Sequence, residues 1–431
     1  MIPNSLPALA NALRTGELPF TDYLSQLESR FSEREPSVWA FVPEEGRFER
    51  LRREAAELIS RYPMADTRPP LFGVPVGVKD IFHVAGITTR AGSKLPPEVL
   101  QGDEAESVTA LKNAGALIMG KTVTTEFAYF GPGPTRNPHN PEHTPGGSSS
   151  GSAAAVGAGM CPLTLGTQTI GSIVRPASFC GIVGYKPTSD RISRAGVLPL
   201  SPSFDHIGLF TGDVAGTQLA ASVLGKDWRP EIGDGKRPVL GIPEGPYLNC
   251  ASPEMLNHFH ATCHRLAGAE YEIKSVTVLP DFEAIRERHY LIVAADAARV
   301  HAEWFARFSS LYHPKTTELI QRGQSVSADA VAEALKERDK LRDELRQVMD
   351  ERRIDLWLSP SAIGPAPRGL DSTGDPVMNL PWTHVGFPAL NLPSGRTTEG
   401  LPLGLQLAAN WHKDEALFEW AIEIEKVIGN W

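Results

Sequence analysis

Three stretches of the chain carry residues whose types and spacing can support nucleophilic chemistry. The first is Gly73-Val-Pro-Val-Gly-Val-Lys79-Asp80. Alternate side chains of a strand share a face, so Val74, Val76 and Val78 fall together while Lys79 falls with Pro75 and Gly77. Burying an ammonium is costly unless it finds a partner or loses its proton. Lys79 therefore either reaches water or Asp80 at the strand end, or is a desolvated amine able to take up a proton. The second stretch, Gly146-Gly-Ser148-Ser149-Ser150-Gly151-Ser152, places four hydroxyls among glycines. It leads straight into the apolar run Ala153–Val156, unlike a solvated linker, and reads as a close-packed loop followed by a helix start. The third, Gly166-Thr-Gln-Thr-Ile-Gly171-Ser172-Ile-Val-Arg175-Pro176, follows the strand-like Leu163–Leu165 and presents a serine on a tight turn. Successive N–H groups of such a turn can form an anion-binding concavity. A serine hydroxyl is a weak nucleophile until an adjacent base takes its proton, and lysine can be that base only when neutral.

In order and spacing these pieces resemble the amidase signature family. The Gly-Gly-Ser-Ser-x-Gly-Ser run, the Gly-Ser-x-x-x-Pro-Ala block and Cys180-Gly-Ile-Val-Gly-Tyr-Lys-Pro-Thr188 carry the likeness. Gly386-Phe-Pro388 and Leu401-Pro-Leu-Gly-Leu-Gln406 extend it, so that it runs from about residue 70 to the C-terminal helix. The resemblance implies Ser172 as nucleophile, Ser148 as bridging serine across a cis peptide bond, and Lys79 as terminal base. It further implies Ser149 as a hydroxyl supporting Lys79, and the N–H groups of Thr169, Ile170, Gly171 and Ser172 as oxyanion hole. The expected reaction is hydrolysis of a small-molecule amide by water through a Ser172 acyl-enzyme, with no metal or organic cofactor. A urea, carbamate or ester would pass through a similar oxyanion.

Three residues depart from the common family pattern: Gln168 replaces an aspartate, Ile170 a glycine, and the arginine falls three residues after Ser172. This arrangement most resembles malonamidase-type members, in which the matching arginine binds a substrate carboxylate. Arg175 is thus either an anion anchor or a structural group bonding loop carbonyls.

Other readings of the same residues stand beside this one. Gly147-Ser-Ser149-Ser-Gly151 also matches the nucleophile elbow of α/β-hydrolases, an esterase reading with Ser149 as nucleophile and Asp205 with His206 or His384 as partners. An elbow needs a strand before it, and Asn137–Pro145 is proline-broken loop. A component of a transamidating complex, passing ammonia to a partner, uses the same signature. So would a non-catalytic binding protein on this scaffold, which retention of Lys79, Ser148 and Ser172 argues against. His139 and His143 read as loop histidines near the site entrance, since their i, i+4 spacing lies in a segment that cannot be a helix and holds no metal site. Phe127, Tyr129, Phe130 and Trp382 are candidate aromatic liners.

The elements positioning these groups are those of an α/β chain. The expectation is one large domain over residues 1–431, a mixed central sheet covered on both sides by helices. Residues 1–66 form a helical prologue and 70–190 the signature core. Expected helices span Leu6–Leu13 capped by Ser5, a stretch capped by Thr21 through Phe31, Glu44–Tyr62, Ser107–Asn113, Ala284–Leu311 and Ala328–Arg353. Expected strands are Leu71–Asp80, Ala116–Met119, Asp355–Leu358, Ala389–Leu392 and Pro402–Ala408. The region after Thr188 otherwise reads as helical. The formal net charge of −9 lends no support to a nucleic-acid partner. Four dispersed cysteines lack zinc spacing and read as reduced thiols. The N-terminus shows no secretory pattern and no apolar run reaches membrane length. A cytoplasmic protein without a membrane partner, compatible with a homodimer, is the expectation.

Overall fold

A computed structural model describes residues 5–229 and 236–429. Its strands are β1 (Pro75–Lys79), β2 (Leu117–Thr122), β3 (Leu163–Gln168), β4 (Val183–Lys186), β5 (His206–Thr211), β6 (Leu240–Glu244), β7 (Ile273–Thr277), β8 (Leu356–Pro360), β9 (Ala389–Arg396) and β10 (Pro402–Ala409). They form one sheet in the order β2-β1-β3-β5-β4-β9-β10-β8-β6-β7. β1 runs parallel to both β2 and β3, the middle from β3 through β5, β4, β9, β10 to β8 is antiparallel, and β8, β6 and β7 are parallel again. Every residue of β1, β2, β3, β4, β5, β8 and β10 is buried. Burial of both alternating faces requires cover on both sides, and helices supply it.

Of the three N-terminal helices, the first starts as the sequence suggests, and the other two start at Phe20 and Arg47 rather than after Thr21 and at Glu44. Ser5 caps Leu6–Thr15 through a hydrogen bond from the Ala8 N–H, while the next helix begins at Phe20 without a Thr21 cap and runs to Val38. The third prologue helix spans Arg47–Arg61. Residues 71–74 form a turn, so β1 is shorter than the apolar run. The long helical reading after residue 284 divides at His301 into Phe282–Val300 and Ala302–Phe308. β5, β6 and β7 lie in the region expected to be helical. They are only five or six residues long, too short for period to distinguish them from helix segments.

The helix Ser150–Gly157 is buried from Ser150 through Val156. It can lie this deep because Gly151 has no side chain. A Cβ there would stand 2.1 Å from the Ala40 carbonyl oxygen and 2.4 Å from the Val123 nitrogen. The Gly151 N–H bonds the Val123 carbonyl, and the Thr125 N–H bonds the Ser148 carbonyl. These contacts fix the serine-rich loop against the end of β2. Among the described residues, no helix is long and apolar enough to cross a membrane.

Candidate active site

Lys79 ends β1 with its side chain fully buried. Its amine bonds the Ser148 hydroxyl at 2.8 Å and the Thr167 hydroxyl at 2.7 Å. Burial drives its pKa well below the ordinary lysine value, an effect that Asp205 partly opposes. Asp80 is not its partner. That carboxylate turns to Lys121 on β2, at 3.1 Å. The peptide bond between Gly147 and Ser148 is cis. Ser149 is held by the backbone of Thr167, donating to its carbonyl at 3.1 Å and accepting from its N–H at 3.2 Å. Ser149 thus reaches Lys79 through the strand residue whose hydroxyl touches the amine.

Ser172 lies on the turn after β3 and, with Ser148, lines a narrow cavity walled by Tyr129, Thr169, Ile170 and Arg175. Gln168 organises the turn. Its Oε1 accepts from the N–H groups of Ile173 (2.8 Å) and Val174 (3.0 Å), where the buried helix Val174–Cys180 begins. Helix-start donors need such acceptors when water is excluded. Gln168 Nε2 donates to Thr383, whose hydroxyl donates to the Ile170 carbonyl at 2.7 Å. With those two amides bound to Gln168, the N–H groups of Ile170, Gly171 and Ser172 have no protein acceptor among the described residues. The other side of the turn rests on His289, whose Nε2 donates to the Thr169 carbonyl at 3.1 Å. Burial lowers the His289 pKa to about 3, so the ring is neutral and its Nδ1 accepts from His384 Nδ1 at 3.1 Å. Gly171 permits close packing here, because a Cβ would stand 2.3 Å from Asn379 Oδ1.

Arg175 is buried and acts first as a clamp. It donates to the Gly147 and Gly374 carbonyls, each at 2.6 Å, and to the Thr373 hydroxyl at 3.3 Å. Its Nε is buried without a partner among the described residues. Burial lowers its pKa to about 10, with Asp375 and Tyr290 opposing, so it remains a cation at neutral pH.

The amidase family model matches residues 23–418. The chain belongs to the amidase family. It is 31% identical to the A subunit of the glutamyl-tRNA(Gln) amidotransferase of Synechococcus sp. (strain WH7803), over 96% of this chain and 95% of that one. Its counterpart from Koribacter versatilis is also 31% identical, over 87% and 88% of the two chains. Among solved structures, an amidase superposes with a TM-score of 0.89 at 31% identity, covering 99% of this chain and 100% of the other. The peptide amidase of Stenotrophomonas maltophilia shares the fold, with a TM-score of 0.81 at 24% identity over 99% and 97%. This amidase is thus an enzyme of a family acting on carbon–nitrogen bonds.

The structure brings Lys79, Ser148, Ser172, Thr169, Ile170 and Arg175 together, with Ser149 behind them. It does not assemble the elbow arrangement. Ser149 is buried on Thr167, and a loop rather than a strand precedes it. His206 faces Ser189 and backbone carbonyls, and His384 faces His289. His139 and His143 bond the Cys180 and Ala366 carbonyls and do not line the cavity. Tyr129 and Phe130 do line it, whereas Phe127 packs on His301 and Tyr312, and Trp382 stacks on Trp357. Thr167, Asp205 and Thr383 carry no signal in the sequence that marks them for these places. Only the pairing of β1 and β5 with β3 brings the first two to Lys79 and Thr169. Among the described residues no group of three or more His, Cys, Asp or Glu is arranged to hold a metal ion.

Proposed function

We propose that this amidase hydrolyses a small-molecule amide through an acyl-enzyme on Ser172. The observation that carries the reading is the fully buried amine of Lys79, bonded to Ser148 at 2.8 Å beside a cavity shared by Ser148 and Ser172. A neutral Lys79 takes the Ser148 proton as Ser148 takes that of Ser172, and the Ser172 oxygen attacks the carbonyl carbon. The resulting oxyanion is met by the unspent N–H groups of Ile170, Gly171 and Ser172, with Thr169 as the fourth residue of the hole; one such donor is typically worth about 3 kcal/mol. The proton returns through Ser148 to the leaving nitrogen, the C–N bond breaks, and ammonia or an amine departs. Water then attacks the ester carbonyl along the same path and gives up its proton to the lysine, and Ser172 recovers a proton on release of the acid.

Arg175 supports an acidic substrate, in keeping with the malonamidase-type pattern. It lines the cavity, stays charged, and keeps its Nε unspent after clamping the loop. The likeness to amidotransferase A subunits supports a second reading, in which the ammonia passes to a partner protein. A hydrolysis panel of neutral and carboxylate-bearing amides, run on the purified chain, on Arg175→Ala and on Arg175→Lys, tests these points. The expected result is turnover by the chain alone, with a preference for acids that both variants lose. Absence of turnover by the isolated chain would favour the partner-dependent reading, and equal rates on acids and neutral amides would remove the anchor.

A further inference from the structure

Asp205 stands one residue before β5, and β5 pairs with β3 so that His206 lies opposite Gln168. That register sets Asp205 beside Thr169, the first residue of the oxyanion turn. One carboxylate oxygen accepts from the Thr169 hydroxyl at 2.6 Å, and the other accepts from the N–H groups of Leu200 (2.9 Å) and Ser201 (3.0 Å). Thr169 and Leu200 both wall the cavity that holds Ser148 and Ser172. A single side chain therefore ties the turn to the Leu200 segment of the cavity wall. The two N–H groups need an acceptor, and against a carboxylate, which only accepts, the Thr169 hydroxyl must donate as well.

We propose that Asp205 is a positioning residue of this enzyme: its carboxylate locks the oxyanion turn through Thr169 and sets a negative charge near Lys79. The inference rests on the reading of Ser172, Ser148 and Lys79 given above. Asp205 lines one cavity with Thr167, whose hydroxyl bonds the Lys79 amine, and from there its charge favours the protonated amine that forms as the serine is activated. Burial raises the Asp205 pKa to about 6, against its three hydrogen bonds and the Arg194 guanidinium, so the charge is present above that pH. Arg194 lines a second cavity with Asp205 and Thr167, one that Ser172 does not line, and His206 follows on β5 with its ring turned to Ser189. The carboxylate thus couples the geometry of the turn to the proton affinity of the base.

The test is the rate of fluorophosphonate labelling as a function of pH, which needs no knowledge of the substrate. Wild type, Ser172→Ala, Asp205→Asn, Thr169→Val and Thr169→Ser are compared. Loss of the negative charge lowers the proton affinity of Lys79, so Asp205→Asn should move the rising limb to lower pH by roughly one unit. Thr169→Val should slow labelling about tenfold without moving the limb, and Thr169→Ser should restore it to within about twofold. If wild type is not labelled, or Ser172→Ala is labelled equally, the reading of Ser172 falls. If wild type labels on Ser172 but the limb is unmoved in Asp205→Asn, or Thr169→Val labels at the wild-type rate, the inference on Asp205 is overturned. Should Asp205→Asn not be recovered folded, the Thr169 pair alone decides.

Discussion

Replacing Gln168 with leucine tests whether the departure from the family's aspartate is functional. The substitution removes the acceptor of the Ile173 and Val174 N–H groups at the start of a helix buried along its length, where water cannot replace it. Each orphaned buried donor costs about 1–3 kcal/mol, so the pair costs about 2–6 kcal/mol, part of which leucine regains by apolar contact. For a chain of 431 residues, with roughly 2.1 cal/mol/K of unfolding entropy per residue, about 0.9 kcal/mol corresponds to one degree. The melting temperature should fall by about 2–5 °C. The turn also loses the link through Thr383 to the Ile170 carbonyl, so fluorophosphonate labelling should slow by at least about tenfold. Gln168→Glu keeps the acceptor but exchanges the donor for a buried carboxyl, and should recover only part of the melting temperature. The assay is thermal unfolding at one fixed scan rate, because a chain of this size can unfold irreversibly. A leucine variant that melts within one degree of wild type and labels at its rate would refute this account of the turn.

Two further outcomes follow from the geometry. Thr167→Val removes one of the two hydroxyls on Lys79, and hydrogen bonds to a charged donor are roughly twice as strong as neutral ones. The protonated amine loses about 1–1.5 kcal/mol more than the neutral one, so the rising limb of the pH–labelling profile should move down by about one unit. Gly151→Ala should abolish soluble expression, because the new Cβ meets the backbone of Ala40 and Val123 and neither can move aside; a solubility and thermal-shift comparison checks it.

The signature segment is legible because its residue types contradict their surroundings. A lysine in a valine strand and a serine run entering an apolar helix are each unfavourable unless chemistry or packing compensates, and their order points to the class of reaction. The strands at 206–211 and 240–244 are not legible, since neither is longer than six residues and β6 contains Pro243. Asp205 and Thr167 are hidden for a related reason. Each acts across a strand pairing, and register is a property of the sheet rather than of either segment. Arg175 reads in the sequence equally as anchor and as structural group, and its three hydrogen bonds to the loops at 147 and 373–374 account for the structural half.

The choice of base can be argued from two lysines that stand almost side by side. Lys79 on β1 and Lys121 on β2 occupy paired strands, with Val78 opposite Lys121 and Lys79 opposite Thr122, and both are buried. Desolvation lowers the pKa of both. Lys121 has the Asp80 carboxylate at 3.1 Å to hold its proton, and it bonds the Phe82 carbonyl and the Thr89 hydroxyl besides. Lys79 has only hydroxyls within hydrogen-bond reach, with the opposing carboxylate of Asp205 engaged by three other donors. The same strand environment therefore yields one lysine whose cation a neighbouring carboxylate supports and one that gives up its proton more readily. The one that gives it up is the one bonded to Ser148. On the proposed mechanism, that asymmetry, set by where Asp80 turns, is what leaves Lys79 rather than Lys121 free to act as base behind Ser148.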